Sequence, residues 1–189
     1  MTDHRFSILV VGGLALLLWQ LPASLVGDAG HRGPNRRSAP TAAPPDSLPS
    51  HFAERYDIDV QLADIIHRTA VREGVMPAVV FGLIAIESGF DARAVGRAGS
   101  VGLMQIKPST ARAYDPRATR ERLFNPEVNV RLGLAHLRQE LVHFRNDWTL
   151  GLLSYNMGRA RLTRALARGI VPRTGYASKV LAHCGEPCS

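Results

Sequence analysis

Aromatic residues are scarce in this 189-residue chain, 6% of the total, and no basic run alternates with them. A surface that stacks nucleic-acid bases needs that alternation, so no nucleic-acid partner is expected. Lysine is nearly missing as well. Lys107 and Lys179 are the only two, and arginine supplies the other basic side chains behind a net charge of +7. That balance suits an acidic polymer. Acidic residues are absent from Trp148 to Gly185, where Arg159, Arg161, Arg164, Arg168, Arg173 and Lys179 fall. The stretch reads either as a solvated helical face or as a patch that holds such a polymer. No Gly-x-Ser-x-Gly elbow, Walker A loop or His-Glu-x-x-His helix occurs, which removes the commonest hydrolase, nucleotide and zinc-peptidase readings. There is no internal repeat. His183, Cys184 and Cys188 cluster, but structural zinc takes four ligands and no fourth is in reach, so no metal and no cofactor is expected.

What is present divides into three parts. Residues 1–27 carry a weakly basic start and an apolar stretch from Phe6 to Trp19. This reads as a secretory signal with small residues at Ala23, Gly27 and Ala29, or as an uncleaved anchor running to Val26. Arg32, Arg36 and Arg37 follow the segment, against the positive-inside tendency, yet export to the cell envelope or periplasm is the favoured reading. Any membrane contact is expected through this segment alone. Residues 28–50, with Pro34, Pro40, Pro44, Pro45 and Pro49, read as a disordered linker. A folded domain is expected over 51–189. In an oxidising compartment Cys184 and Cys188 are expected to form a disulfide, closing a small loop that stops fraying of the C-terminus.

Within the domain the periodicity is helical throughout, so the fold is expected to be all-α, with α+β character at most in a small irregular lobe. Leu62, Ile65, Ile66, Thr69 and Ala70 repeat at helical spacing, capped by Asp57 or Asp59 and stopped by Gly74. No helical period is visible before Asp57. Residues 88–107 are Gly-rich and aperiodic, which predicts a long loop with at most a short strand pair. Pro108 opens a turn, and Asn125-Pro126 starts a helix with an apolar stripe at Val130, Leu134, Leu137, Leu141 and Phe144. Asp147 caps the next helix. Two more follow over 159–168 and 175–183, split by Gly169 and Pro172.

One carboxylate does not suit its surroundings. Glu87 ends the apolar run Pro77 to Ile86 and shares a helical face with Val80, Leu83 and Ile84. Desolvation and the negative end of the helix dipole both favour its protonated form. That is the state a general acid needs near neutral pH. The other reading is a helix-end residue turned to water. Glu54, Glu73, Glu121, Glu127 and Glu140 lie among polar neighbours and read as solvated, and His136 and His143 read as surface or rim. Asp91 is the one further carboxylate nearby, and its Gly-rich setting reads as an ordinary turn. With Asp91 read as a turn residue, a one-carboxylate site is expected.

The stretches Glu87-Ser88-Gly89-Phe90, Gly102-Leu103-Met104-Gln105-Ile106-Lys107-Pro108-Ser109-Thr110 and Ser154-Tyr155-Asn156-Met157-Gly158, in this order and spacing, resemble the soluble lytic transglycosylase family over roughly residues 57–183. The resemblance implies a lysozyme-like fold. It also implies cleavage of the β-1,4 bond between N-acetylmuramic acid and N-acetylglucosamine in peptidoglycan strands, giving 1,6-anhydro ends. By the same resemblance Glu87 is the catalytic acid, with Ser88, Met104, Gln105, Tyr155, Asn156 and Tyr176 around the sugar and Tyr155 able to reach the acid. Gly96 stands where the family often has a sugar-contacting Ser. The short chain is similar to specialised members that serve a secretion, conjugation or pilus apparatus. A lysozyme-type hydrolase of the same bond and a non-catalytic peptidoglycan-binding assembly protein are the alternatives.

Overall fold

Caps and prolines set the helix starts of the computed structural model, which describes residues 48–184. The Asp59 carboxylate accepts the N–H groups of Gln61 and Leu62 at 2.8 and 3.2 Å and opens α2 (Val60–Arg72). Pro77 opens α3 (Pro77–Glu87), and Pro108 opens the short α4 (Pro108–Ala111). Asn125 caps α5 (Pro126–His143) by accepting the N–H of Val128 at 3.1 Å, and Asp147 caps α6 (Trp148–Met157) through the N–H of Leu150 at 2.9 Å. α7 (Arg159–Leu166) and α8 (Tyr176–Ala182) complete the order. A single 3-10 turn covers Arg122–Phe124. Among the described residues no strand forms, only isolated antiparallel bridges of Val101 with Val95 and Ile106. Among the described residues the fold is all-α, as expected.

The first helix departs from the expected boundary. α1 (Leu48–Tyr56) begins inside the stretch read as linker, and the expected domain start at residue 51 falls within it. Leu48, Phe52 and Tyr56 fall four apart, a helical spacing that the linker reading passed over, although the segment is too short to hold a helix alone. Tertiary contacts hold it instead: Phe52 stacks on Phe81 of α3 with ring centroids 4.1 Å apart, and Tyr56 lies 5.0 Å from Phe90. The N-terminal apolar segment, residues 28–47 and Cys188 lie outside the described residues. None of the described helices is long and apolar enough to cross a membrane.

Two apolar clusters result. The larger joins α2, α3, α5, α6 and α8 around Ile66, Phe81, Leu83, Leu134, Leu137 and Leu152. The smaller gathers Val101, Ile106, Ala111, Leu123 and Leu132 under the irregular lobe. Asn129, fully buried on α5, ties that lobe down. Its carbonyl oxygen accepts the Met104 N–H at 2.8 Å, and its amide donates to the carbonyls of Val101 and Leu123 at 2.9 and 2.8 Å. All three of these polar contacts are made where none can go to water, so the loop has one conformation available.

Gly82 governs how α3 meets α8. A Cβ at this position would sit 2.6 Å from both the His183 Cβ and the Val180 carbonyl oxygen. Gly82→Ala is therefore expected to push the two helices apart at a cost of about 1–3 kcal/mol. Thermal unfolding measures it, and an unchanged midpoint would show that α8 yields without loss.

Candidate active site

Glu87 occupies the last turn of α3, below the fully buried Val80, Leu83 and Ile84. Tyr176, the first residue of α8, donates its hydroxyl to the Glu87 Oε1. The close packing at Gly82 is what allows that contact. Burial raises the Glu87 carboxyl above its ordinary value of 4.5, and the Tyr176 hydrogen bond draws it back only partly. Burial and the neighbouring Glu87 charge push the Tyr176 phenol far up, so it stays a donor at every ordinary pH.

The carboxyl faces a cavity of about 390 Å³. Gln105, Tyr155 and Asn156 border it, as do Ser100, Lys107 and His136. Three of the expected sugar-contacting residues do not border it. Ser88 uses its hydroxyl on the carbonyl of Leu103 at 2.8 Å and that of Ile84 at 3.3 Å, pinning the loop to the end of α3. The Met104 side chain is fully buried in the core. It lies so close to Gly133 of α5 that a Cβ there would sit 2.5 Å from the sulfur. Tyr176 is buried beneath the acid rather than beside the sugar. Tyr155, expected to reach the acid, lies near enough to feel the Glu87 charge, but its hydroxyl donates to the Met104 carbonyl at 2.7 Å, and the hydrogen bond to Glu87 comes from Tyr176.

Gln105 borders the cavity with its amide already committed. Its nitrogen donates to the carbonyls of Gly102 and Ala94 at 2.9 and 3.3 Å, and its oxygen accepts the Ser100 hydroxyl at 2.8 Å. These bonds hold a backbone φ of +48°, a region a non-glycine residue enters only when its surroundings over-determine it. Gly96 has a local reason. A Cβ there would lie 2.3 Å from the Ser100 hydroxyl and 2.6 Å from the Gln105 oxygen, so a serine at position 96 and this network exclude each other.

A second polar group went unread in the sequence. Glu140, read as solvated, is 2% exposed. Arg159 donates to it twice, from Nε at 3.0 Å and from a terminal nitrogen at 2.8 Å, and Ser154 donates its hydroxyl. Burial alone would raise the Glu140 carboxyl, but Arg159, Ser154 and His136 together hold it below the ordinary range. His136, four residues earlier on α5, lies 3.6 Å from this carboxylate and 3.1 Å from the Tyr114 hydroxyl, with its ring against Tyr155. Burial lowers its pKa, which favours the neutral ring. The i, i+4 spacing of His136 and Glu140 was the available signal.

Removing the Tyr176 hydroxyl should leave a mark on the pH profile. In Tyr176→Phe the Glu87 anion loses its one side-chain donor among the described residues, so the carboxyl rises further. Under the acid role proposed below, the alkaline limb of kcat/KM reports loss of the Glu87 proton in the free protein and should move to higher pH. An unmoved limb would separate Tyr176 from the ionisation of Glu87.

An all-α domain with one buried carboxyl, its pKa raised, at the edge of a cleft is what fold and site define. The chain matches the transglycosylase SLT domain family over residues 64–169, more than half its length, and belongs to that family. Membrane-bound lytic murein transglycosylase C of Actinobacillus pleuropneumoniae is 34% identical over 90 residues, 42% of this chain and 25% of that protein. Endo-type membrane-bound lytic murein transglycosylase A of Klebsiella pneumoniae is 35% identical over 85 residues, 41% of this chain and 42% of that protein. The chain thus spans less than half the length of these relatives. Among solved structures, the 70 kDa soluble lytic transglycosylase of Escherichia coli shares the fold at a TM-score of 0.60 and 23% identity, over 71% of this chain and 25% of that one.

Proposed function

We propose that this chain is a peptidoglycan lytic transglycosylase in which Glu87 acts alone, first as acid and then as base. One observation carries the reading. Among the described residues Glu87 is the only carboxylate bordering the cavity, and its burial raises its pKa above the ordinary carboxylate value, toward the range a general acid needs. Asp91 is exposed and spends its carboxylate on the Arg93 N–H at 2.7 Å, an ordinary turn contact.

With a single carboxyl, the chemistry follows a short course. Glu87 gives its proton to the glycosidic oxygen as the bond from that oxygen to the muramic C1 breaks. The substrate's own acetamido oxygen bonds to C1 and takes up the developing positive charge. Glu87, now an anion held by the Tyr176 hydroxyl, removes the proton of the C6 hydroxyl. The C6 oxygen attacks C1, the acetamido oxygen leaves, and a 1,6-anhydro ring closes without consuming water. Glu87 ends protonated, ready for the next bond. Incubating the protein with purified wall sacculi tests the reading. Falling turbidity with release of soluble fragments is expected, and intact sacculi would overturn it.

The relatives named membrane-bound support a place in the envelope, with residues 1–27 as signal or anchor. Opening the wall for a secretion, conjugation or pilus apparatus is the specialised form of this role, and normal assembly of the apparatus in a deletion strain would remove it. Cys184, buried at the end of α8, is expected to pair with Cys188 after export. Thiol counting under denaturing, non-reducing conditions should find none, and two free thiols per exported chain would contradict the pairing.

A further inference from the structure

The cleft at Glu87 does not end at His136. Thr110, His136 and Gly158 also border a second, larger hollow of about 790 Å³ between α5 and α7. One wall is a single face of α7, where Ala160, Thr163, Arg164 and Ala167 follow helical spacing and are all exposed. Two methyl groups on that face leave room for an extended chain to lie close. Gln139 and His143 of α5 form the opposite wall. Among the described residues the only carboxylate bordering the hollow is Glu140, already neutralised by the two hydrogen bonds from Arg159. Arg164 is therefore a cation with no acidic counterpart in the hollow.

We infer that this hollow is the subsite for the acidic stem peptide carried by the muramic sugar. The inference rests on the proposed function, since it places that sugar in the adjoining cleft. A peptide leaving the sugar over the His136–Gly158 rim enters the hollow directly. Arg164 then donates to a peptide carboxylate, Gln139 and Thr163 meet main-chain groups, and small peptide side chains rest on Ala160 and Ala167. The continuity places the hollow within reach of the sugar, and the charge favours this occupant over a further bare sugar.

The test uses the mature chain, Arg164→Glu and Ala160→Trp, which fills the hollow without changing charge. Both positions are exposed, so the fold should tolerate them. Two polymers are compared: glycan strands bearing stem peptides, and strands stripped of them by an amidase. Loss of a charge-assisted contact should raise KM on the peptide-bearing polymer by about tenfold or more. KM on stripped strands should stay unchanged. Acidic stem peptide freed by the amidase is titrated separately into Glu87→Gln protein with and without Arg164→Glu. Saturable binding lost with the charge reversal supports the subsite whether or not cleavage is seen. Equal effects on both polymers, or no peptide binding, would overturn it. A wild-type protein that cuts neither polymer counts against the proposed function, while the titration still decides the subsite.

Discussion

Glu87→Gln is expected to bind wall polymer and leave it uncut. The amide keeps the shape of the side chain and can still accept from Tyr176, but it has no proton to transfer. Positioned acid–base groups contribute about 10²–10⁴-fold, and in the proposed course one group serves both halves of the reaction, so the loss should reach the upper end of that range. Stability should move the other way. The folded-state pKa of Glu87 lies above its ordinary value of 4.5, so the folded chain holds this proton more tightly than the unfolded one. Wild-type stability therefore falls as pH rises from about 4.5 through the folded value. The amide does not titrate. Glu87→Gln should unfold at a higher temperature than wild type above that window and match it below. Retained cleavage would remove the site assignment altogether, and a destabilised variant at neutral pH would contradict the burial argument.

Arg159→Ala is expected to be the most damaging change to the fold. It removes both guanidinium hydrogen bonds from a carboxylate that is buried in the intact protein, with the Ser154 hydroxyl and His136 as its remaining described partners. Breaking one side of a fully buried pair costs about 3–5 kcal/mol; the Arg159 side chain is 36% exposed, so the loss should be nearer about 2–3 kcal/mol, which for a domain this size lowers the unfolding midpoint by roughly 5–10 °C. The pair joins α5 to the end of α6 and the start of α7, directly behind Tyr155 and Asn156, so activity should fall with stability. The pH dependence carries the sign. Glu140 is held below its ordinary range, so its stabilisation is present above about 4.5 and is lost as pH falls through the folded value. The gap between variant and wild type should narrow in acid. Adding Glu140→Leu to the variant should recover much of the loss, because replacing both partners of a buried pair by apolar groups is often neutral. A double variant no better than Arg159→Ala would locate the damage elsewhere.

Local signals in the sequence were enough for most of the helices. Asp59, Asn125 with Pro126, and Asp147 cap the helices they were expected to cap, and the α5 stripe from Val130 to Leu141 is buried. The desolvated face of Glu87 was legible because its apolar neighbours lie on the same helix. What escaped depends on contacts between distant parts of the chain. α1 gains its helix from Phe52 and Tyr56 against aromatic rings that come later in the sequence. Glu140 looks solvated beside Arg138 and Gln139, and only the return of Ser154 and Arg159 makes it interior. Which tyrosine meets the acid is decided by the packing of α8 on α3 across Gly82, and no motif near Tyr155 or Tyr176 records that.

Mass spectrometry of the sugar ends released from purified sacculi tests the one-carboxylate reaction most directly. An end closed by its own C6 hydroxyl lacks the water that a hydrolysed end has taken up. The site described here predicts 1,6-anhydro ends throughout the digest, and their disappearance with Glu87→Gln. Fragments one water heavier would mean that water, not the C6 hydroxyl, is the nucleophile at Glu87, and the protein would be a lysozyme-type hydrolase.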